Sequence, residues 1–273
     1  MTPPVDSVTR EASRWRETLS PAATIVSALF ASLFLFFLVA PLVGLVGAGG
    51  AAGVRQLTID AELRGALALT MLTATTATVF AIVGGTPVAY LLARRRFSGR
   101  TLLIALLDLP LVVPHPVAGI ALLLVLGRAS PLGSVLLGAG LRLTGSVFGI
   151  VCAMLFVAAP LYVGGAREAF ARVDRRYEAV ARTLGDSAWT AFRRITLPLS
   201  FRGLTAAAVV MWARAVSEFG AIVILTYNPK VASVLSYDRF TTLGLSGALP
   251  VAAVLVLLAV LPIVALRALR RDE

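Results

Sequence analysis

The stretch YEAVARTLGDSAWTAFRRITLP, Tyr177 to Pro198, is a long, basic interval between two apolar runs. Leading into it, Ala166, Phe170, Val173, Tyr177, Val180 and Leu184 recur at steps of four and three, which is one stripe of an amphipathic helix. Gly185 can take the left-handed conformation that ends such a helix, and Asp186 or Ser187 can cap a second, short one. Trp189, Phe192 and Ile195 then supply an apolar face before Pro198, where the pattern predicts a stop. The interval therefore predicts a helix-turn-helix lying against a membrane face. It holds no nucleophile-base pair, no metal-ligand spacing and no phosphate-cradling glycine run, so any role is mechanical. A helix resting on lipid headgroups satisfies the same periodicity.

The flanking sequence establishes what the interval connects. Of 273 residues, 58% are hydrophobic and 14% charged, and the mean hydropathy is +0.89, which leaves too little polar material to cover a water-soluble domain. Nearly uncharged windows run over Thr18 to Val54, Gly65 to Ala93, Thr101 to Gly127, Leu143 to Ala166, Gly203 to Pro229 and Phe240 to Leu266. Each can hold the roughly 20 residues that a spanning helix needs. The runs are continuous rather than alternating, so they read as helices and not barrel strands. The expected fold is an all-α polytopic membrane protein with six transmembrane helices.

Cation placement orients it. With the N-terminus inside, the inner segments carry eighteen arginines: Arg10, Arg14 and Arg16; Arg94, Arg95, Arg96 and Arg100; Arg167, Arg172, Arg175, Arg176, Arg182, Arg193, Arg194 and Arg202; Arg267, Arg270 and Arg271. The outer loops carry Arg55, Arg64, Arg128, Arg142, Lys230 and Arg239, and Arg214 falls within a span. The bias predicts both termini on the cytoplasmic side. An inner face turned to anionic lipid accounts for the net charge of +11 without nucleic acid. The expected organisation is a cytoplasmic tail at 1–21, a first span and outer loop at 22–60, a core of five spans at 61–267 containing the loop 166–200, and a cytoplasmic tail at 268–273. Within the second segment, Gly44 to Gly53 reads as outer loop. The first apolar run is longer than the hydrophobic region of a cleavable signal peptide, so it is kept as a span. The single cysteine, Cys152, excludes an internal disulfide and reads as a packing residue.

Ionisable residues within spans are functional candidates, and there are four: Asp108, His115, Arg214 and Glu218. Asp108, eight residues after Arg100, is expected near the inner boundary in a pairing role. His115 lies deeper, between Pro114 and Pro116; with Pro110 these prolines predict a kinked third span. Arg214 and Glu218, four apart, can pair on one helix face. That pair either stabilises the bundle, so that neither charge is buried alone, or borders an anion pathway.

Read residue by residue, the interval resembles the EAA loop of ATP-binding-cassette importer permeases: Glu178-Ala179, Gly185, Ile195 ten residues later, and Leu197-Pro198. The spacing from glycine to Leu-Pro fits in full, while Glu178 stands seven residues before Gly185 where the general pattern has six. GTPVAYLLARRRFSGR (Gly85 to Arg100), DLPLVVPHPVAGIALLL (Asp108 to Leu124) and WARAVSEFGAIVI (Trp212 to Ile224) resemble the sulfate and molybdate/tungstate permeases. The Pro114-His115 step is most similar to the archaeal molybdate/tungstate branch. The resemblance, over roughly Ala61 to the C-terminus, implies a type I ABC importer permease. It implies a homodimer with the pathway on its two-fold axis, two cytoplasmic ATPase subunits beneath, and an extracellular binding protein that delivers a tetrahedral oxyanion. It places ATPase coupling on Glu178, Ala179, Arg182, Thr183, Leu184 and Gly185.

The chain has no Walker A sequence, so ATP and Mg belong to a partner subunit, and no cofactor, metal or catalytic residue is expected in this chain. An ion-coupled carrier would use the four intramembrane charges as a relay but leaves the loop unexplained. An intramembrane enzyme would want a Ser-Lys, Ser-His or metal constellation, for which one histidine and one cysteine are poor material.

Overall fold

A computed structural model of the chain describes residues 21–268; residues 1–20 and 269–273 of the expected tails, with Arg10, Arg14, Arg16, Arg270 and Arg271, lie outside the described residues. Every regular element among the described residues is helical. The chain divides into two units, Met1–Leu45 and Val46–Glu273. The first contributes the opening part of α1 (Pro21–Ile59). There Phe30, Phe34, Phe36 and Phe37 are all more than 60% exposed, a surface that only hydrocarbon solvates cheaply.

The second unit is built on three long helices: α2 (Ala61–Arg94), α6 (Val147–Arg172) and the continuous helical stretch Ala188–Val216. They meet along small residues, among them Ala74, Ala77, Ala81, Ala153, Ala158, Ala166, Ala207 and Ala215. In lipid there is no hydrophobic drive between helices, so small side chains that let backbones approach are what make this bundle dense. Tyr162 and Phe170 fill the remaining space. Asp60 and Ser146 cap α2 and α6 by accepting the Leu63 and Gly149 N–H groups.

Among the described residues four helices are long and apolar enough to cross a membrane, or five if one bent pair counts as a span. That pair corrects the third expected span. Its window is two helices, α3 (Arg100–Val112) and α4 (His115–Leu126), bent by 114°. The reason is Pro114, which cannot continue the hydrogen-bond ladder, followed by Pro116 at the start of α4. After the short α5 (Pro131–Gly138) the chain enters α6. The fifth expected span also ends early. Its helix stops at Val216, and a separate short helix covers Gly220–Leu225. The last window holds α12 (Leu245–Ala268), preceded by the short α11 (Ala232–Leu243).

The outer loop expected at Gly44 to Gly53 is instead helix, continuous to Ile59. A Cβ on Gly49 would lie 2.4 Å from the Leu249 carbonyl oxygen, and one on Gly53 would lie 2.5 Å from that of Pro250. These glycines are four apart on one helix face and let α1 pack backbone to backbone on α12. Glycine reads the same in sequence whether it serves a turn or a close contact.

Candidate functional site

The amphipathic stripe into the loop does not run through one helix. α6 ends at Arg172, Asp174 caps a new helix by accepting the Arg176 N–H, and α7 (Arg175–Thr183) follows. Ala166, Phe170 and Val173 are buried, whereas Tyr177, Val180 and Leu184 are 58%, 58% and 84% exposed. The two halves of the stripe thus face different surroundings, one the bundle and the other the outside. Gly185 has φ +102°, and the turn closes with Asp186 N–H on the Ala181 carbonyl and Gly185 N–H on the Arg182 carbonyl. That double bond pattern is a Schellman stop and makes the tip rigid. Ser187, not Asp186, caps the next helix by accepting the Thr190 N–H.

α8 (Ala188–Ala191) passes through a wide π turn, Phe192–Thr196, into α9 (Leu197–Val216). Pro198 therefore does not stop the helix. It sits in the first turn of α9, and the π turn, in which Leu197 N–H reaches back to the Phe192 carbonyl, widens the ladder just before the missing N–H.

The coupling residues separate into two groups. Ala179, Arg182, Thr183, Leu184 and Gly185 are exposed and form a blunt knob with Trp189, itself 67% exposed. Glu178 turns the other way. Its Oε1 lies 3.0 Å from Arg94 Nη2 and accepts the Thr196 hydroxyl, and its Oε2 accepts the Tyr90 hydroxyl at 3.2 Å. Arg94 also donates to the Val173 carbonyl at 2.9 Å, and Arg175 to that of Ala93 at 2.9 Å. Tyr90 packs edge-on against Phe170 and Phe192, which fixes its ring beside Glu178. Nothing in the sequence singles out Tyr90, Arg94 and Thr196 as partners of Glu178. Their signal was weak: two lie in the segment Gly85 to Arg100 and one inside the loop motif, with nothing local to link them. Beside them a cleft of about 1300 Å³ is walled by apolar residues such as Val83, Leu91, Phe201 and Leu204 and by Arg94, Arg95, Arg175 and Arg182.

The structure brings together three of the four ionisable residues expected within spans. The break between α3 and α4 meets the break after α9, where α10 (Gly220–Leu225) begins; a Cβ on Gly220 would stand 2.6 Å from that of His115. Arg214 Nη2 donates to Glu218 Oε2 at 2.7 Å and to His115 Nε2 at 2.7 Å. Glu218, 1% exposed, accepts the Ala221 N–H on its other oxygen at 2.8 Å, which caps α10. His115 remains 41% exposed and Arg214 24% exposed. The expected Arg214–Glu218 pair is present, although Glu218 lies past the helix end rather than on its face. Asp108 stands apart from this cluster. It is exposed, lines a small cavity with Arg167, and forms no ion pair among the described residues, so the pairing expected for it is absent. Among the described residues no group of three or more His, Cys, Asp or Glu side chains could hold a metal.

At the far end of α2, Arg239 pairs with Asp60 at 2.7 Å and Glu62 at 3.1 Å, and Lys230 pairs with Asp238 at 2.6 Å. The Lys230 hydrogen bond holds the Asp238 carboxyl below its usual range, and the same bond raises Lys230. Burial opposes ionisation of Asp60, but the Leu63 N–H and Arg239 outweigh it and lower its pKa.

Residues 85–272 match the family of binding-protein-dependent transport system inner membrane components. The molybdate/tungstate transport system permease protein WtpB of Thermococcus kodakarensis is 43% identical over 186 residues, 68% of this chain and 70% of that one. Its Methanocaldococcus jannaschii counterpart is 32% identical, over 86% of this chain and 92% of that one. The sulfate transport system permease protein CysT of Escherichia coli is 30% identical over 84% of each. The fold is also that of a bacterial ABC transporter that imports alginate (TM-score 0.67, 16% identity, 95% of this chain and 99% of that one) and of the MetNI methionine ABC transporter (TM-score 0.62, 19% identity, 77% and 95%). The chain belongs to the binding-protein-dependent transport system inner membrane components, and it is a multi-pass ABC transporter permease subunit, with ATP hydrolysis the task of a separate subunit.

Proposed function

We propose that the chain is the membrane-spanning subunit of an importer for molybdate or tungstate, working as a homodimer with the pathway between the copies. An extracellular binding protein delivers the oxyanion, and cytoplasmic ATPase subunits dock on the knob at Ala179, Arg182, Thr183, Leu184 and Gly185. The observation that carries this reading is the rigid, exposed turn at Gly185, with Leu184 84% exposed beside it, at the end of the molecule richest in arginine. A blunt apolar tip on a stiff support suits a cleft in a soluble partner and can pass on that partner's closure. The topology has both termini inside, a first span and connection at 22–60, and a transport core at 61–267. The four arginines on the cleft beside the loop suit release of an anion on that side.

Replacing Gly185, at φ +102°, by valine forces a β-branched residue into the left-handed region, a local strain on the order of 1–3 kcal/mol. ATPase association in pull-down and molybdate uptake into proteoliposomes should fall together. A Gly185→Val protein that binds its ATPase and imports normally would show that the knob is not the docking site. The relative CysT favours a second substrate reading, sulfate. Competition of unlabelled sulfate and tungstate against molybdate uptake decides between them: strong competition by tungstate and weak competition by sulfate supports the first reading.

A further inference from the structure

We infer that Glu178 is a positioning residue, which with Arg94 makes the knob move as one body with the ends of α2 and α9, rather than a contact to the ATPase. This rests on the docking reading above. α7 has nine residues, only one of which, Ala181, is buried, so apolar packing alone holds it weakly against the bundle. It also follows a break at Val173–Asp174, about which it could swing. What restrains it is polar. Both Glu178 oxygens are engaged, by Arg94 and Thr196 on one and Tyr90 on the other. Arg94 ties the break itself through the Val173 carbonyl, and Arg175 ties the first turn of α7 to the Ala93 carbonyl.

The Arg94 and Glu178 side chains are only 8% and 18% exposed, so this ion pair is screened far less than a surface pair. Its partners sit on the last turns of α2 and in the π turn that leads into α9. A push on Leu184 and Gly185 is thereby delivered to two long helices at once. Without the pair the knob still fits its cleft, but α7 pivots at Val173 and the displacement is lost. The one-residue offset of Glu178 from the general loop pattern has the same meaning: the carboxylate faces the permease, on the side opposite the exposed tip.

The test compares Glu178→Gln, Tyr90→Phe and the exchanged pair Arg94→Glu with Glu178→Arg, each in the complete transporter reconstituted with its ATPase and binding protein. The readouts are ATPase association, ATP hydrolysed, and molybdate imported per ATP. Glu178→Gln should associate normally and keep hydrolysing ATP, while molybdate per ATP falls about fivefold or more, the lower end of ordinary coupling between sites. The exchanged pair should recover part of the ratio, which a glutamate acting independently of Arg94 would not do. An unchanged ratio in Glu178→Gln overturns the proposal and leaves docking at the knob intact. Loss of ATPase association in Glu178→Gln also overturns it, because the glutamate would then be a docking contact. If Glu178→Gln yields no folded complex, Tyr90→Phe decides alone: a lowered ratio with normal association supports the latch, and a normal ratio refutes it.

Discussion

Arg214, Glu218 and His115 allow one stability experiment whose outcome follows from their geometry. Arg214→Met leaves the Glu218 carboxylate, 1% exposed, with the Ala221 N–H and with His115 at 3.6 Å. Removing one partner of a buried pair is destabilising by about 3–5 kcal/mol, because the remaining charge is left uncompensated. Glu218→Gln is milder for two reasons. The amide oxygen can still accept the Ala221 N–H and cap α10, and the stranded Arg214 is 24% exposed and keeps its contact with His115. A loss of about 1–3 kcal/mol is expected there. The double mutant should lie above the sum of the two, with a coupling of roughly 1–3 kcal/mol, since neither charge then remains alone. The assay is folded yield and thermal unfolding in detergent for all three variants, with molybdate uptake alongside. Strict additivity, or an Arg214→Met protein as stable as Glu218→Gln, would refute the pairing argument. A double mutant that folds normally but carries no anion would show that the cluster serves the pathway.

Gly49→Ala should destabilise by about 1–3 kcal/mol because its Cβ meets the Leu249 carbonyl at 2.4 Å, whereas Gly47→Ala, with nothing within 4 Å, should be neutral or gain up to about 1 kcal/mol of helix propensity; unfolding midpoints of the two compare them. Single cysteines at Ser134 and Thr241 in a Cys152→Ala background should react with an impermeant thiol reagent from outside, and one at Ser98 should not; all three positions are exposed, so the reverse pattern would overturn the topology. The network at the far end of α2 should be indifferent to pH from about 5 to 9. Asp60 and Asp238 are depressed below 3.8, so their contribution is full above that value and lost only in stronger acid; Lys230 is raised above 10.5, so its contribution is full below that value and lost only in stronger base. Reactivity of a cysteine placed at Ser236 across that range checks this, and a transition near neutrality would contradict it.

What the chain declares locally, it declares in sequence. Solvent choice is set by composition, so the membrane fold was legible from the apolar windows. The helix, glycine turn and capped second helix of the loop were legible from Leu184 to Ser187, because φ freedom at Gly185 and the cap at Ser187 depend on residues within a turn of each other. Even the Arg214–Glu218 pair needed only a spacing of four. Glu178 was visible as part of a motif but not as a latch, since its partner Tyr90 lies 88 residues away and no local rule links them. His115 meets Arg214 across 99 residues, and only because two helix breaks abut where Gly220 leaves room for the His115 side chain. Pro114 announced a kink, but not a bend of 114°, which depends on what packs inside it. The glycines at 49 and 53 read as a loop in sequence for the same reason: a missing Cβ permits both a turn and a backbone contact, and only the presence of α12 against them decides which.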